Sequence, residues 1–233
     1  MPHQAVLDFW FSENSRRYWF QPSDAFDQTI RQQFADIFQA ALANQLAHWR
    51  NTLHGRVAEI IVLGLFIFGL RSGFGVRKWQ MQGANHSKVE HFARICNAAD
   101  AVLWRKSRRN TKYKQPPNQF SRNIYRHQPQ AFTQDERALQ LAQEAVSQPQ
   151  FAALPYDYRQ FALLPYMHSE SLAVHQQAQA LFARYTNEHV QAFERKHRNL
   201  IAQFGRYPHR NALLSRPNTP SEAQFLAEHG RGF

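Results

Sequence analysis

The sequence predicts an all-α fold, in which about seven to nine helices pack as antiparallel neighbours in a bundle. Apolar residues recur at helical spacing in several segments, and Thr with Glu three residues later precedes two of them. No run of alternating β-branched residues indicates a strand, so no β-sheet is expected. With 233 residues and a 43% share of hydrophobic side chains, the chain is long enough to bury a core.

Helices are predicted first in the opening sixty or so residues. The apolar run Ala5–Phe11 predicts a short helix. Ser23 is predicted to cap a long amphipathic helix, and residues 23–50 are expected to be mainly helical. After Gly55, the run 57–63 predicts the start of a buried helix. The apolar stripe of the long helix consists of Phe26, Ile30, Phe34, Ile37, Phe38, Ala41, Leu42 and Trp49.

Capping boxes predict two helix starts in the second half of the chain. In such a box a hydroxyl and a Glu three residues later accept hydrogen bonds from each other's backbone amides. Thr133–Glu136 is predicted to open a helix over 134–147. Thr219–Glu222, with Pro at the first helical position, is predicted to open one over 220–229 that Gly230 closes.

The remaining helices are predicted between these two. Residues 169–203 are expected to be mainly helical, with Ser169 as the cap of one helix and a further helix reaching Phe204. Gly205 suits the left-handed position after a helix end. The Ser169-capped helix is predicted to carry Leu172, Gln176, Leu181 and Tyr185. An earlier helix is predicted through Tyr158, Phe161, Leu163 and Leu164.

Most of the positive charge lies in one segment, residues 64–117, called the basic insertion below. It carries 11 Lys and Arg against Glu90 and Asp100, so its net charge is +9 of the +11 of the whole chain. It also holds five of the nine glycines and has no sustained apolar period. We therefore predict one helical domain formed by residues 1–63 and 118–233, interrupted by a poorly structured basic insertion.

Composition excludes several classes of protein. The single cysteine, Cys96, excludes an intramolecular disulfide and indicates a reducing compartment. The N-terminus lacks the features of a signal peptide, and the apolar run Ile60–Leu70 spans only about 16 Å as a helix, too short for a bilayer. A cytoplasmic protein without a membrane span is expected. Trp79 and Trp104 are too sparse for a base-stacking platform, so nucleic acid is not the expected partner.

Four motifs stand out together along the chain, namely Val6–Phe11, Asn118–Asn123, Pro165–Glu170 and Phe204–Asn211. In this order they resemble the bacterial domain-of-unknown-function family number nine hundred and twenty-four. The resemblance covers residues 5–63 and 118–233 and implies an all-helical, tetratricopeptide-like arrangement with no established activity. The chain departs from the family pattern in two places. Where the family has one Asp, 55 residues separate Leu63 from Gln119, and the family's Leu-Gly-Arg appears here as Leu214-Ser215-Arg216.

Three interpretations of the basic insertion stay open. It is a functional module that binds polyanions, an insertion that the fold tolerates, or a gene-level accident such as a mobile-element fragment read in frame. Removing it joins Leu63 to Asn118 and places Ile60, Leu63, Phe120 and Ile124 on one helix face.

Polar residues at predicted helix ends form the candidate site, which we expect around one concavity. The candidate catalytic residues are His168, Glu170 and His209, because histidine and carboxylate side chains serve as general acids and bases. Arginine and asparagine suit the gripping of a carboxylate or phosphate. The candidate ligand-binding residues are Arg122, Asn123, Arg206, Arg210, Asn211 and Trp10.

These residues support several hypotheses of function. A helical binding module would take a small molecule or peptide in a polar His/Arg/Glu pocket. An enzyme would use His168, Glu170 and His209 in hydrolase-like acid/base chemistry. Two further hypotheses are that the residues form a purely structural polar network and that the chain is a disrupted family member without activity. No metal site is predicted, because His-x-Glu is not a same-face helical spacing and no ligand set is complete. The cofactor, like the partner, stays unknown.

Overall fold

The computed structural model describes residues 1–19, 23–64 and 128–229. Within these ranges it contains nine α-helices and no strand, which confirms the predicted all-α class. The tetratricopeptide-like arrangement stays a prediction. The helices are α1 (His3–Trp10), α2 (Glu13–Arg16), α3 (Asp24–Leu42), α4 (Leu53–Leu63), α5 (Asp135–Val146), α6 (Tyr156–Met167), α7 (Leu172–Tyr185), α8 (Glu188–Phe204) and α9 (Pro220–His229). Short 3-10 helices span Ala47–Asn51, Pro129–Phe132, Pro149–Ala153 and Pro208–Arg210.

Helix α4 is the centre of the bundle and packs against α1, α3, α5 and α6. Every residue from Val57 to Leu63 is buried, as the apolar run predicts. The helix begins earlier than expected, because the Thr52 hydroxyl accepts a hydrogen bond from the Gly55 amide at 3.0 Å. Gly55 therefore lies inside the helix, where a Cβ would stand 2.0 Å from the Trp49 carbonyl oxygen. The helix ends at Leu63, and Gly64 follows as its C-cap with a φ of 62°.

The long helix α3 has its predicted start but not its predicted end. The Ser23 hydroxyl accepts a hydrogen bond from the Phe26 amide at 3.2 Å, as expected of an N-cap. The helix stops at Leu42, and Asn44 turns the chain with a φ of 58°. The apolar stripe still continues to Trp49, which is buried on the following 3-10 helix. Residues 23–50 are mainly helical, as predicted, but the interpretation of the stripe as one helix is wrong, because it crosses a left-handed turn.

The aromatic core joins the first helices to α6. The fully buried Trp10 ring meets the Phe161 ring edge-on at 5.7 Å, and the Trp19 indole donates a hydrogen bond to the Trp10 carbonyl at 3.0 Å. Such aromatic pairs contribute about 0.5–1.5 kcal/mol each beyond the burial of their area. The N-terminal aromatic residues thus stabilise the fold.

The predicted caps of the second half have mixed outcomes. Thr219 and Glu222 form their reciprocal capping box, with bonds of 3.2 and 2.7 Å. The box at Thr133 is wrong: its hydroxyl bonds backward to the Gln130 carbonyl, and α5 begins without a side-chain cap. The predicted Ser169 cap is also wrong, since Ser171 occupies the N-cap of α7. Gly205 takes the expected left-handed conformation, with a φ of 70°.

Helix α7 buries His175, Ala178 and Phe182. Of the residues quoted for it from the sequence, Leu181 and Tyr185 are partly buried against the core, while Leu172 and Gln176 are exposed. The buried face is the one that packs between α6 and α8, where His175 meets the carboxylate of Glu194.

The predictions for residues 65–117, and for Phe120 and Ile124 beyond them, lie outside the described residues. Among the residues that the structure does describe, no helix combines the length and apolar character that crossing a bilayer requires.

Candidate functional site

Tyr207 is the centre of a buried polar cluster. Gly205 turns the chain after α8, and Pro208 begins a 3-10 helix, so Tyr207 points inward and is fully buried. Its hydroxyl donates a hydrogen bond to the Met167 carbonyl at 2.6 Å and lies 3.2 Å from Nε2 of His175. The side chains grouped around it, called the Tyr207 cluster below, are His168, Glu170, His175, Glu194, His197, His209, Arg210 and Arg216.

Glu170 fixes the outer side of this cluster. Its carboxylate accepts two hydrogen bonds from Arg216, at 2.6 and 3.0 Å, and one from the Tyr207 amide at 2.9 Å. Burial raises the pKa of Glu170, but the bonds from Arg216 and the nearby charge of Arg210 outweigh that effect and bring it below its usual value. Glu170 is therefore an ionised acceptor at neutral pH.

Arg210 closes the cluster from the other side. Its guanidinium donates to the His168 carbonyl at 2.9 Å and to Oδ2 of Asp135 at 3.2 Å. The same group lies over the rings of Tyr207 and Phe132, 4.5 and 5.0 Å from their centres. One buried cation thus joins the first turn of α5, the end of α6 and the turn after α8.

Three buried histidine rings surround Tyr207. The His168 and His197 rings lie 5.3 Å apart, and the Tyr207 ring is 5.7 Å from His197 and 5.4 Å from His209. Burial lowers the pKa of His197 to about 3, even though its Nδ1 lies 2.7 Å from the Phe193 carbonyl. The His197 ring is therefore neutral at physiological pH.

Besides these rings, a buried histidine–glutamate pair lies between helices α7 and α8. His175 and Glu194 are both buried, and Nδ1 of His175 lies 3.2 Å from Oε1 of Glu194. Nε2 of the same ring faces the Ser169 carbonyl at 3.0 Å. Burial raises the pKa of the Tyr207 hydroxyl above this pair well beyond its usual value, so it stays protonated.

Helix α9 is attached at the edge of the cluster by polar contacts. Arg206 donates two hydrogen bonds to Glu222, at 2.7 and 2.8 Å, and one to the Pro217 carbonyl at 2.9 Å. The bonds from Arg206 lower the pKa of Glu222 to about 2. Beside them, the Asn211 side-chain amide donates to Oδ1 of Asn218 at 2.8 Å.

The structure brings together most of the residues that the sequence singled out. His168, Glu170, His209 and Arg210 lie in the Tyr207 cluster, with Arg206 and Asn211 at its α9 edge. Trp10 lies instead in the aromatic core with Trp19 and Phe161 and has no exposed surface. Arg122 and Asn123 lie outside the described residues.

The sequence interpretation missed several members of the cluster. They are Tyr207, His175, Glu194, His197 and Arg216. Tyr207 stood within a quoted motif, and Arg216 follows the departure at Ser215, so both were visible but had no assigned role. The other three are polar residues on the buried faces of α7 and α8, a signal that appears only once the packing of those helices is known.

Comparison with known proteins identifies the family. The family model described as "Bacterial protein of unknown function (DUF924)" matches residues 6–67 and 117–230. The chain belongs to this family. The two matched segments contain the whole Tyr207 cluster and leave residues 68–116, most of the basic insertion, unmatched.

A solved structure of the same general form supports the fold. It is that of a protein of unknown function from Agrobacterium tumefaciens, which is 24% identical, covers 97% of each chain and superposes with a TM-score of 0.70. No functionally curated protein matches the chain at a significant level. Within the ranges that the structure describes, no group of three His, Cys, Asp or Glu side chains is arranged to hold a metal ion.

Proposed function

We propose that the chain is a helical binding module whose ligand, a small molecule or peptide with an anionic group, binds at the outer side of the Tyr207 cluster. The observation that carries this proposal is the exposure of the Arg216–Glu170 pair. Each side chain is 24% exposed, whereas Tyr207 and the histidines behind it are buried. The pair therefore presents charged groups to solvent from a fixed base.

The arginines supply the recognition chemistry. Arg206 is 28% exposed and lies at the α9 edge, where its guanidinium is held by Glu222. Arg206 uses Nε and Nη2 on Glu222 and Pro217, so the two N–H groups of Nη1 are left to donate to a carboxylate or phosphate group of a ligand. Little side-chain entropy is lost when a ligand binds, because the existing hydrogen bonds already hold Arg206 and Arg216 in place.

The electrostatics favour binding over acid/base catalysis. A general acid or base works best when its pKa lies near the operating pH. The pKa of Glu170 is lowered by Arg216, and that of His197 is about 3 because of burial. Both groups therefore keep one protonation state around neutrality, as a recognition surface requires.

The test is a thermal-shift screen of the full chain with free amino acids, dipeptides, small carboxylates and phosphate monoesters. We expect at least one anionic compound to raise the melting temperature of the wild type in a saturable way. Arg206→Gln should weaken the apparent affinity for that ligand by about tenfold, and the melting-temperature shift at a given ligand concentration should fall accordingly. The control is Arg198→Gln on α8, whose guanidinium bonds Gln179.

Two outcomes would count against the proposal. An equal ligand shift in Arg206→Gln and wild type would place the ligand elsewhere on the chain. If no compound shifts the wild type, the alternative of a family member without retained activity gains support.

A further inference from the structure

A second candidate site is an open cleft rather than a buried cluster. The cleft has a volume of about 670 Å³ and lies between the start of α4 and the segment that precedes α6. Its volume is in the range of clefts that hold small organic molecules. Among the described residues, the lining includes Arg50, His54 and Arg56 and no acidic side chain, while Leu53 and Leu154 add apolar surface.

Arg50 is fixed by a carboxylate behind the cleft. It donates two hydrogen bonds to the fully buried Glu59, at 2.8 and 2.7 Å, and a third to Oδ1 of Asn44 at 2.6 Å. Arg137 bonds the same two residues, at 3.0 Å to Glu59 and 2.7 Å to Asn44. Two guanidinium groups therefore share one buried carboxylate, which leaves one positive charge in excess beside the cleft.

Arg56 is held in a similar way at the start of α4, while Arg50 lies on the preceding 3-10 helix. One nitrogen of its guanidinium donates to Glu144 of α5, and the side chain is only 19% exposed. His54 packs edge-on against the Tyr158 ring at 5.4 Å. The cationic and aromatic groups of the cleft are thus held in place by neighbours that lie outside its lining.

We infer that this cleft binds a small organic anion, with a carboxylate or phosphate group at Arg50 and Arg56 and an apolar body against Leu53 and Leu154. The excess positive charge and the arginine forks favour the anionic group. A bare inorganic ion leaves most of the cleft and its apolar surface unused. This site is separate from the Tyr207 cluster, and its ligand does not depend on the function proposed there.

The experiment is isothermal titration of the full chain with four probes at constant ionic strength. They are benzoate, phenyl phosphate, inorganic phosphate and neutral benzyl alcohol. We expect benzoate and phenyl phosphate to bind at least about tenfold more tightly than benzyl alcohol, because they are the two aromatic probes that carry charge. The comparison of the two anions distinguishes a carboxylate from a phosphate ligand, and inorganic phosphate tests the role of the apolar body.

Two variants assign the binding to the cleft. Gln150→Glu adds a negative charge at an exposed lining residue and should weaken binding of both aromatic anions by about tenfold without affecting the fold. Arg56→Gln should do the same, with circular dichroism to verify that it is folded. Arg198→Gln on α8, outside both proposed sites, should bind all four probes like the wild type. Arg206→Gln is measured beside it to detect binding at the Tyr207 cluster.

Three results would overturn the inference. They are the absence of binding by either aromatic anion up to about 10 mM, equal affinity for benzyl alcohol, and unchanged affinity in Gln150→Glu. Loss of anion binding in Arg206→Gln but not in Gln150→Glu would assign the ligand to the Tyr207 cluster instead.

Discussion

Arg216 donates two hydrogen bonds to the carboxylate of Glu170, at 2.6 and 3.0 Å, across 46 residues of sequence. The same carboxylate accepts a hydrogen bond from the Tyr207 amide. One acidic side chain just before α7 therefore fixes both the turn after α8 and the segment that leads to α9. The arrangement of the Tyr207 cluster depends on this contact.

Arg216→Gln should lower the free energy of unfolding by about 1–2 kcal/mol, because it leaves a half-buried carboxylate without its cation. Urea unfolding monitored by circular dichroism measures the change. Arg198→Gln, which removes a bond to a neutral partner, should cost less than about 0.5 kcal/mol. Equal stability of the two variants would show that the Glu170 contact contributes little.

Ser215→Gly should stabilise the protein by about 0.5–1 kcal/mol. Ser215 has a φ of 53°, a left-handed conformation that costs an L-residue energy and that glycine adopts freely. The matched control is Ser221→Gly in the first turn of α9, where glycine should destabilise. Thermal unfolding of both variants measures the shifts. A destabilised Ser215→Gly would mean that the serine side chain makes a stabilising contact that outweighs the strain.

Glu222→Gln should reduce stability at neutral pH but not in acid. The pKa of Glu222 falls from 4.5 to about 2 beside Arg206, so the ion pair contributes stability above pH 4.5 and loses it as the pH falls toward 2. Because glutamine can also form the capping box, the substitution tests the contribution of the charge. Calorimetry should therefore show a difference between wild type and variant that shrinks between pH 4.5 and 2. A difference that is constant with pH would contradict the electrostatic origin.

Deletion of residues 64–117 should raise the melting temperature. The insertion adds a net charge of +9, and its removal joins two segments whose apolar residues share a predicted helix face. We expect a gain of about 2 kcal/mol from the shorter connection and the added helical hydrogen bonds. Limited trypsin digestion of the full chain should cut first in the Arg105–Lys114 run. A well-expressed deletion variant that melts lower would show that the insertion belongs to the fold.

The sequence predicts the helices whose signals lie within a few neighbouring residues. The run of apolar residues in α4 and the Thr219 capping box are signals of this kind, and both are found in the structure. The end of α3 could not be predicted, because Asn44 turns the chain within a stripe that keeps its helical spacing. The Thr133 box failed for a similar reason, since its hydroxyl bonds the preceding turn.

The candidate site was predictable only in part. Polar motifs at helix ends pointed to His168, Glu170 and Arg210, but their partners come from distant segments. His175 and Glu194 meet because α7 and α8 pack side by side, and Arg216 reaches Glu170 through the left-handed Ser215. Contacts of this kind depend on tertiary packing, which no spacing in the sequence specifies.

We propose above all that the Tyr207 cluster is a fixed, desolvated support for ligand recognition and not a centre of acid/base catalysis. The most direct test is an NMR titration of the histidine rings, with the His197 signals assigned from a His197→Gln variant. Burial lowers the pKa of His197 to about 3, so its signals should not move between about pH 8 and 5, whereas an unperturbed histidine side chain has a pKa of about 6.5. Titration of His197 near 6.5 would show that water and protons reach the cluster, and would contradict the claim.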